Sequence, residues 1–286
     1  MTSRSISRHD TILVTGGTGK TGRRVADRLH GRGLPVRVGS RSGEPPFDWA
    51  APATWAPALD GATSAYLSFF PDLAVPGASD AIAEFAELAM SVGTNRLVLL
   101  SGRGEEEAQR AEQALQDSGA AWTVVRCSWF DQNFSESFFL EPVLAGEVAL
   151  PADGVLEPFV DAEDIADVAV AALTEDGREG QVYELTGPRL LTFAEAVGEI
   201  ARASGRDIRY LPISIEQFTG GLTEAEVPDD VVSLLGYLFT EVLDGRNAQL
   251  ANGVQRALGR EPRDFRDYAL DTAATGVWAG ELAGRR

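Results

Sequence analysis

Hydrophobic and polar positions follow two alternating periods along residues 11–134. Short apolar runs, typical of buried strands, are separated by segments whose apolar residues recur every three or four positions, as on one face of a helix. The predicted strands are 11–15, 34–38, 47–49, 64–70, 96–101 and 121–126, and the predicted helices are 23–30, 54–60, 80–92 and 105–116. This alternation predicts a parallel sheet with helices on both faces, in which ligands lie beyond the carboxyl ends of the strands.

The pattern becomes mixed toward the C-terminus. The predicted elements there are a helix capped by Asp161, a strand at 181–186, a helix opened by a capping box at Thr192–Glu195, a strand at 208–213 and an apolar helix at 229–243. We therefore expect an α/β protein with a Rossmann-type, doubly wound parallel sheet in residues 10–134, which strand 181–186 joins. Residues 135–286 are expected to form a smaller, mixed C-terminal lobe that binds the substrate and is interleaved with the sheet domain.

A glycine-rich segment connects the first predicted strand to the first helix. Its glycines fit the dinucleotide fingerprint in two ways, as Gly17-x-Gly19-x-x-Gly22 and as Gly16-x-x-Gly19-x-x-Gly22. Glycines allow a tight turn and a close approach to a pyrophosphate, whose charge the free amide groups of the helix N-terminus stabilise. The predicted cofactor-binding residues of this segment are Gly16, Thr18, Gly19, Lys20, Thr21 and Gly22. A nucleoside-triphosphate P-loop is excluded, because its first glycine would fall at Val14.

The end of the second predicted strand indicates which dinucleotide binds. An NAD site usually carries an acidic residue there, which accepts hydrogen bonds from the ribose hydroxyls, whereas this chain has Gly39-Ser40-Arg41-Ser42. A guanidinium and hydroxyls suit a 2′-phosphate, so Ser40 and Arg41 predict NADPH rather than NADH. Asp48 and Trp49 either dock the adenine or only pack at the end of their strand, and both alternatives are open from the sequence.

Further candidate residues follow the later strands. Those predicted to lie beside the cofactor are Phe69, Ser101, Gly102, Cys127, Trp129 and Phe130. The candidate catalytic groups are the hydroxyls of Ser101 and Ser128 and the thiol of Cys127, although one thiol ending an apolar strand is also typical of a buried apolar residue. An aromatic set indicates a flat apolar or cationic substrate, unless its members are core residues. The set is Phe69, Phe70, Trp129, Phe130 and Phe134.

The composition of the chain limits which partners, compartments and metal sites are expected. The chain has 286 residues, 44% of them hydrophobic, and its net charge of −18 argues against nucleic acid and anionic membranes, which are polyanions. No apolar run approaches a membrane span and residues 1–10 lack the apolar core of a signal peptide, so a cytoplasmic protein is expected. With Cys127 as the only cysteine and His9 and His30 as the only histidines, no metal site is expected. Nothing indicates an oligomeric state.

Three segments carry a resemblance to a known family. The segments are the glycine-rich turn at 16–22, Trp122-Thr-Val-Val-Arg-Cys-Ser-Trp-Phe-Asp-Gln-Asn-Phe134, and Phe159-Val-Asp-Ala-Glu-Asp-Ile-Ala166. Together they resemble the NmrA-like branch of the atypical short-chain dehydrogenase/reductases, over nearly the whole chain. Residues 47–49 and 129–136 further resemble the festuclavine and agroclavine dehydrogenases. The resemblance implies NADP(H) binding, with the adenine side at Ser40 and Arg41 and the nicotinamide near Ser101 and residues 127–130. Cys127 replaces a proline that is usual in the superfamily.

The chain departs from the wider superfamily in its chemistry. Standard short-chain dehydrogenases use a Tyr-x-x-x-Lys pair as proton donor, and this pair is absent because Lys20 is the only lysine. Glu106 and Arg110, four apart on the helix where the pair would lie, are expected to form a surface salt bridge. Two functions remain. One is a reductase that delivers hydride to an iminium or imine, an activated C=C or a quinone of a small, flat substrate; the other is a non-catalytic, NADP(H)-sensing regulator of the NmrA type.

Overall fold

The computed structural model describes residues 11–280. His9, residue 10 of the first predicted domain and residues 281–286 of the second lie outside the described residues. The strands are β1 (Thr11–Thr15), β2 (Val36–Gly39), β3 (Ala62–Leu67), β4 (Arg96–Gly102), β5 (Ala121–Cys127), β6 (Glu147–Leu150), β7 (Leu156–Glu157), β8 (Gln181–Leu185), β9 (Leu191–Thr192) and β10 (Arg209–Pro212).

The α-helices lie between these strands and after the last of them. They are α1 (Lys20–Gly31), α2 (Trp55–Leu59), α3 (Ala78–Ser91), α4 (Glu106–Asp117), α5 (Asn133–Glu136), α6 (Leu140–Ala145), α7 (Ala162–Thr174), α8 (Phe193–Ser204), α9 (Ile215–Glu224), α10 (Asp229–Tyr237), α11 (Gly253–Leu258) and α12 (Phe265–Ala274). A 3-10 turn at Pro52–Thr54 precedes α2. No helix of the described residues is long and apolar enough to cross a membrane.

Six strands form one parallel sheet in the order β2-β1-β3-β4-β5-β8. The chain runs from β1 outward to β2 and then returns to place β3 on the other side of β1. This reversal creates a switch point between β1 and β3, where open α/β sheets bind their ligands beyond the strand ends. The predicted Rossmann-type, doubly wound α/β fold is therefore confirmed.

The described chain folds into two compact units, each built from several segments of the sequence. The first comprises residues 11–127, 162–185 and 252–260 and holds the six-stranded sheet. The second comprises 128–161, 186–251 and 261–280 and holds two short strand pairs, parallel β6–β10 and antiparallel β7–β9.

The first unit buries one helix stripe against each face of its sheet. Val25 and Leu29 of α1 are fully buried, and Ile82 and Phe85 of α3 are buried within a core cluster that includes Leu97 and Leu99 of β4. Arginines of α1 also bind acids of α7: the Arg24 Nε donates to Glu163 at 2.6 Å, and the Arg28 Nε donates to Asp167 at 2.7 Å. Apolar burial and this ion-pair ladder together fix the position of α1 beside α7.

The second unit has an aromatic core. Phe193 lies at its centre, with ring centroids at 5.0 Å from Phe159, 5.6 Å from Trp129 and 6.2 Å from Phe239. α8, which carries Phe193, begins with the predicted capping box, because Thr192 Oγ1 accepts from the Glu195 amide at 3.1 Å and the Glu195 carboxylate accepts from the Thr192 amide at 2.8 Å.

Two predicted elements were wrong. Residues 47–49 form no strand: the rings of Phe47 and Trp49 pack edge to face, with centroids 5.1 Å apart, in an irregular segment. Two buried aromatics around one polar residue imitate the period of a strand, but no strand pairs with them. The predicted apolar helix over 229–243 is α10 followed by a π-helical turn at Leu238–Val242, whose Leu243 amide donates to the Leu238 carbonyl at 3.0 Å.

The packing of α1 against its own turn generates the first prediction. A Cβ on Gly22 would overlap the Gly16 carbonyl oxygen and lie 2.9 Å from the Gly17 Cα, so there is no space for it. Gly22→Ala should destabilise the protein by about 1–3 kcal/mol, the usual cost of overpacking. Gly31→Ala on the same helix, where nothing lies within 4 Å of the added atom, is the matched control and should stay within about 1 kcal/mol of wild type. Urea unfolding measures both, and equal losses would contradict the prediction.

Candidate functional site

The glycine-rich turn after β1 is closed by its own backbone. Gly16 has φ +60°, and its carbonyl accepts from the Gly19 amide at 2.8 Å. A Cβ on Gly17 would lie 2.7 Å from Val38 Cγ1, and one on Gly22 would meet the Gly16 carbonyl. Gly16, Gly17 and Gly22 are thus each required by local geometry, and both fingerprints read from the sequence describe the same compact turn.

Helix α1 begins directly after this turn, at Lys20. Gly19 precedes the helix and provides no side-chain cap, and the first turn of α1 contains no acidic residue. The unpaired amide groups of a helix N-terminus, together with the helix dipole, favour an anion at this position. A turn whose backbone is kept bare by glycine therefore fits a diphosphate, and the described residues match the binding group that the fingerprint predicts.

β1 and β3 are joined at the switch point beneath the turn. Thr15 Oγ1 donates to the Tyr66 carbonyl at 3.1 Å and accepts from the Ser68 amide at 2.9 Å. The indole N–H of Trp49 donates to the Ser68 carbonyl at 2.8 Å. The loop after β3, which carries Phe69 and Asp72, is therefore held at a fixed position beside the phosphate turn.

Arg41, at the end of β2, has its guanidinium carbon 5.3 Å from the centroid of the Phe70 ring. Phe70 is 63% exposed, so one face of the guanidinium contacts an aromatic ring while its edge remains available. Ser40 Oγ lies 3.5 Å from Ser42 Oγ. The structure thus brings the hydroxyl and guanidinium groups that the sequence pattern assigns to the 2′-phosphate to one strand end.

Asp48 and Trp49 have local structural roles. Trp49 is only 7% exposed, and its ring packs among those of Phe47, Trp55, Phe69 and Phe85, with centroid distances of 5.0–5.8 Å. Asp48 accepts from the Ala50 amide at 3.0 Å in a turn. Because the Trp49 ring is enclosed by other aromatic rings, the geometry favours the packing alternative over contact with an adenine.

Ser101 belongs to a buried polar network at the ends of β4 and β5. Its hydroxyl donates to the Glu112 carboxylate at 2.6 Å, and Arg126 donates to the same carboxylate at 2.9 Å through Nε and again through an Nη. Arg126 also lies 3.6 Å from Glu184, which accepts from Arg103 at 2.7 Å. The hydrogen bond to Glu112 and the charges of Glu112 and Glu184 raise the pKa of Arg126. The Ser101 hydroxyl therefore already has a structural partner, the Glu112 carboxylate.

The Cys127 thiol lies inside the first unit. It is 3% exposed and donates to the Val125 carbonyl at 3.6 Å. Burial, with a further contribution from Glu105, raises its pKa well above the ordinary value, and Arg103 opposes this only in part. A buried, protonated thiol is a poor nucleophile. The geometry therefore favours the buried apolar alternative for this residue; Ser128, in the second unit, is likewise buried.

Glu105 is a residue that sequence reasoning missed. It precedes α4 but does not cap that helix, and its carboxyl group occupies the space above Gly102, where any Cβ would collide with it. Burial and the neighbouring Asp72 and Glu112 raise its pKa well above the ordinary value. The available signal was a run of three glutamates, 105–107, directly after a strand end. The apolar periodicity of this segment predicted a helix that includes all three glutamates, whereas Glu105 lies just outside α4.

The remaining predicted residues divide between the two units. Phe69 of the first unit and Trp129 and Phe130 of the second are half-buried, whereas Phe134 is a fully buried core residue. Gly102 ends β4 and pairs with Cys127. Within residues 11–280, no group of three His, Cys, Asp or Glu side chains could hold a metal ion.

The surface salt bridge predicted on α4 is confirmed. Arg110 lies 3.3 Å from Glu106, and both side chains are exposed, so the pair that occupies the place of Tyr-x-x-x-Lys is an ordinary surface interaction. Arg110 also binds Glu107 at 2.7 Å.

Comparison with known proteins decides the family. No family model matches the chain. The agroclavine dehydrogenase of Claviceps fusiformis is 31% identical over 94% of this chain and 98% of its own length. The festuclavine synthase II of Penicillium roqueforti is 32% identical over 91% and 97%, and the NAD(P)H azoreductase of Xenophilus azovorans is 30% identical over 92% and 98%.

The chain belongs to the family of the agroclavine dehydrogenase, festuclavine synthase and NAD(P)H azoreductase. Solved structures share its fold. Citrobacter triphenylmethane reductase, complexed with NADP(H), superposes with a TM-score of 0.72 at 19% identity, covering 92% of this chain and 99% of the other. The regulator NmrA superposes with a TM-score of 0.69 at 16% identity, covering 94% of this chain and 97% of the other.

The burial of Cys127 predicts that its thiol reacts slowly in the native protein. Because its thiol is enclosed and its pKa is raised, a thiol-specific disulfide reagent should modify the native protein at least about a hundredfold more slowly than the urea-unfolded protein. A Ser91→Cys variant places a second thiol at an exposed helix end and should gain one rapidly reacting group. Rapid modification of the wild-type protein under native conditions would show that the Cys127 thiol is accessible.

Proposed function

We propose that this protein is an NADPH-dependent reductase of small flat substrates. The observation that carries the proposal is the bare glycine turn at the uncapped N-terminus of α1, beside a strand end that presents Ser40 and Arg41 in place of an acid. The names of the relatives support it, since they include two ergot-alkaloid enzymes and an NAD(P)H azoreductase.

In this proposal each group of the cofactor has its own residues. The backbone of residues 16–22 holds the diphosphate, with Thr18, Lys20 and Thr21 beside it, and Ser40 and Arg41 hold the 2′-phosphate. Phe69 and Gly102 lie next to the bound dinucleotide at the ends of β3 and β4. The roles of Trp129 and Phe130 as cofactor neighbours rest on the sequence pattern alone.

The proposed substrates follow from the missing Tyr-x-x-x-Lys pair. Bound NADPH supplies hydride, and an iminium carbon that accepts hydride becomes a neutral amine without any proton. An activated C=C or a quinone accepts hydride readily because its polarisation already draws electron density. A flat aromatic or cationic molecule is the proposed class, supported by the names of the azoreductase and agroclavine dehydrogenase relatives. An unactivated ketone, which lacks this polarisation, is a poorer substrate in this proposal.

A second candidate function is NADP(H) sensing without turnover. Two observations favour it: the fold likeness to the negative transcriptional regulator NmrA, and the engagement of Ser101 and Cys127 in buried structure. Intact NADPH binding without oxidation of NADPH by any iminium, enone or quinone would favour this alternative. A pull-down comparing partners captured with NADP and with NADPH would then test it.

Cofactor selectivity provides a further prediction. Arg41→Ala should weaken NADPH binding by about 1.5–3 kcal/mol, the usual contribution of a charge-assisted hydrogen bond, and should leave NADH binding nearly unchanged. Arg32→Ala, at the exposed end of α1, is the matched control and should change neither affinity. Fluorescence titration of the tryptophans measures all four affinities. Equal losses for both cofactors in the Arg41 variant would remove the basis for 2′-phosphate recognition.

The chemistry is predicted to need no tyrosine. Tyr66, Tyr183 and Tyr268 are buried, the Tyr268 hydroxyl donates to Ser135 Oγ at 2.8 Å, and the Tyr210 hydroxyl donates to the Ala152 carbonyl at 3.0 Å. Each Tyr→Phe variant, Tyr237→Phe included, should keep kcat within about tenfold of wild type, whereas loss of a general acid typically lowers the rate by about 10²–10⁴-fold. Steady-state NADPH oxidation with an iminium acceptor and with an enone is the measurement. One variant that abolishes turnover would identify a catalytic phenol.

A further inference from the structure

Glu105 is a buried acid at the carboxyl end of β4, and no structural role explains its position there. Only 9% of the residue is exposed, and its carboxyl group makes no hydrogen bond to any described residue. It stands at the N-cap position of α4, yet it accepts no amide of that helix. Glu112, on the same helix, is buried to a similar degree and is bound by Ser101 and Arg126. The contrast shows that the fold can satisfy a buried carboxylate here and does not do so for Glu105.

The position of the carboxyl group is set by Gly102. Gly102 is the last residue of β4 and pairs with Cys127, the last residue of β5. Because Gly102 has no Cβ, the Glu105 carboxyl packs directly above its Cα, at the carboxyl ends of two central strands. Ligands of open α/β sheets lie at this edge. Glu105 is thus held at this end of the strands by a glycine that no other residue could replace without moving the acid.

The charges around Glu105 favour its protonated form. Asp72, from the loop after β3, and Glu112, from α4, both add negative charge, and the neutral Cys127 thiol faces it from β5. The two basic groups nearby act on other partners. Burial raises the pKa of Asp72, which Lys20 of α1 opposes only in part, and Arg103 binds Glu184. Burial and these two acids raise the pKa of Glu105 well above its ordinary value, which favours the protonated carboxyl group over the carboxylate.

We propose that Glu105 is the proton donor for those acceptors whose reduction needs a proton, an inference that rests on the reductase function proposed above. In place of the missing phenol of Tyr-x-x-x-Lys, it provides a carboxyl group at the carboxyl ends of the strands. For an enone, bound NADPH would supply hydride to the β-carbon and become NADP⁺, and the C=C electron pair would move to form an enolate. The Glu105 O–H bond breaks and its proton passes to the enolate. The Glu105 carboxylate then takes a proton from water, so one NADPH and one H⁺ are consumed.

The two substrate classes provide an internal control. Reduction of an iminium yields a neutral amine and needs no proton, whereas reduction of an enone does. Glu105→Gln, which keeps the shape of the side chain, should lower kcat for an enone about a hundredfold, at the low end of the effect of removing a general acid. It should lower kcat for an iminium at least tenfold less. Glu106→Gln, a neighbouring exposed glutamate, is the matched control.

The pH dependence separates proton donation from a structural role. Because only the protonated acid donates, kcat for the enone should fall as pH rises through the pKa of Glu105, and this fall should be absent in Glu105→Gln. Asp72→Asn keeps an acceptor for the Ala74 amide but removes a negative charge, so it should move the fall to lower pH. The cofactor-free protein offers an independent readout: its infrared spectrum at neutral pH should contain the carbonyl band of a protonated carboxyl that Glu105→Gln lacks.

The outcomes distinguish this proposal from the function on which it rests. Equal losses for enone and iminium in Glu105→Gln, an unchanged pH profile, or the absence of the protonated-carboxyl band would overturn the role of Glu105 while leaving the reductase intact. If the wild-type protein binds NADPH but oxidises it with neither acceptor, the reductase function fails, and the proton donor fails with it.

Discussion

The close approach of α1 to the turn from which it starts is the constraint on which the proposed cofactor site depends. Gly22 lies against the Gly16 carbonyl, so the helix follows β1 after only the glycine-rich turn of residues 16–19 and packs directly on that turn. This contact fixes the direction of the first amide groups of α1, and the Arg24–Glu163 and Arg28–Asp167 ion pairs fix the rotation of the helix beside α7. Tight backbone packing at one end and charge pairing along the side therefore orient a group of amides that no side chain caps.

Two buried carboxylates near the start of α4 illustrate different uses of the same chemistry. Glu112 is surrounded by donors, and its charge contributes to joining β4, β5 and α4. Such a buried network is costly to break, because removing one partner leaves the other desolvated. Glu105 has acidic neighbours instead, and together with burial they raise its pKa. An acid bound by donors and an acid beside other acids thus lie within seven residues of each other in sequence.

Most of the sheet domain was predictable from sequence, because its strands are buried on both faces and each flanking helix is buried on one face. β1, β4 and β5 are continuous apolar runs, and α3 has a single apolar stripe, so each element carries its own periodic signal. The phosphate turn was predictable for a different reason, since only glycine fits positions whose Cβ would collide with backbone. Both signals are local, and neither depends on knowing which elements are neighbours.

The missed features depend on neighbours that are distant in sequence. Trp49 follows the same alternation as a strand residue, and only its contacts with Trp55, Phe69 and Phe85 reveal a cluster. Likewise, Glu105 looks like a helical glutamate until Asp72 is placed beside it. Aromatic type alone could not distinguish the core residue Phe134 from the exposed Phe70, because burial is a property of the folded neighbourhood.

The contact between Arg41 and Phe70 has a consequence for the entropy of recognition. A free arginine side chain samples many rotamers, and immobilising such a side chain on binding costs about 0.5–1.5 kcal/mol. The Phe70 ring, 5.3 Å from the guanidinium, restricts that sampling before any ligand arrives. If Arg41 binds the 2′-phosphate as proposed, part of this ordering cost is met during folding rather than during binding. An exposed phenylalanine, which is unfavourable on a surface by itself, serves in this way to preorganise a charge.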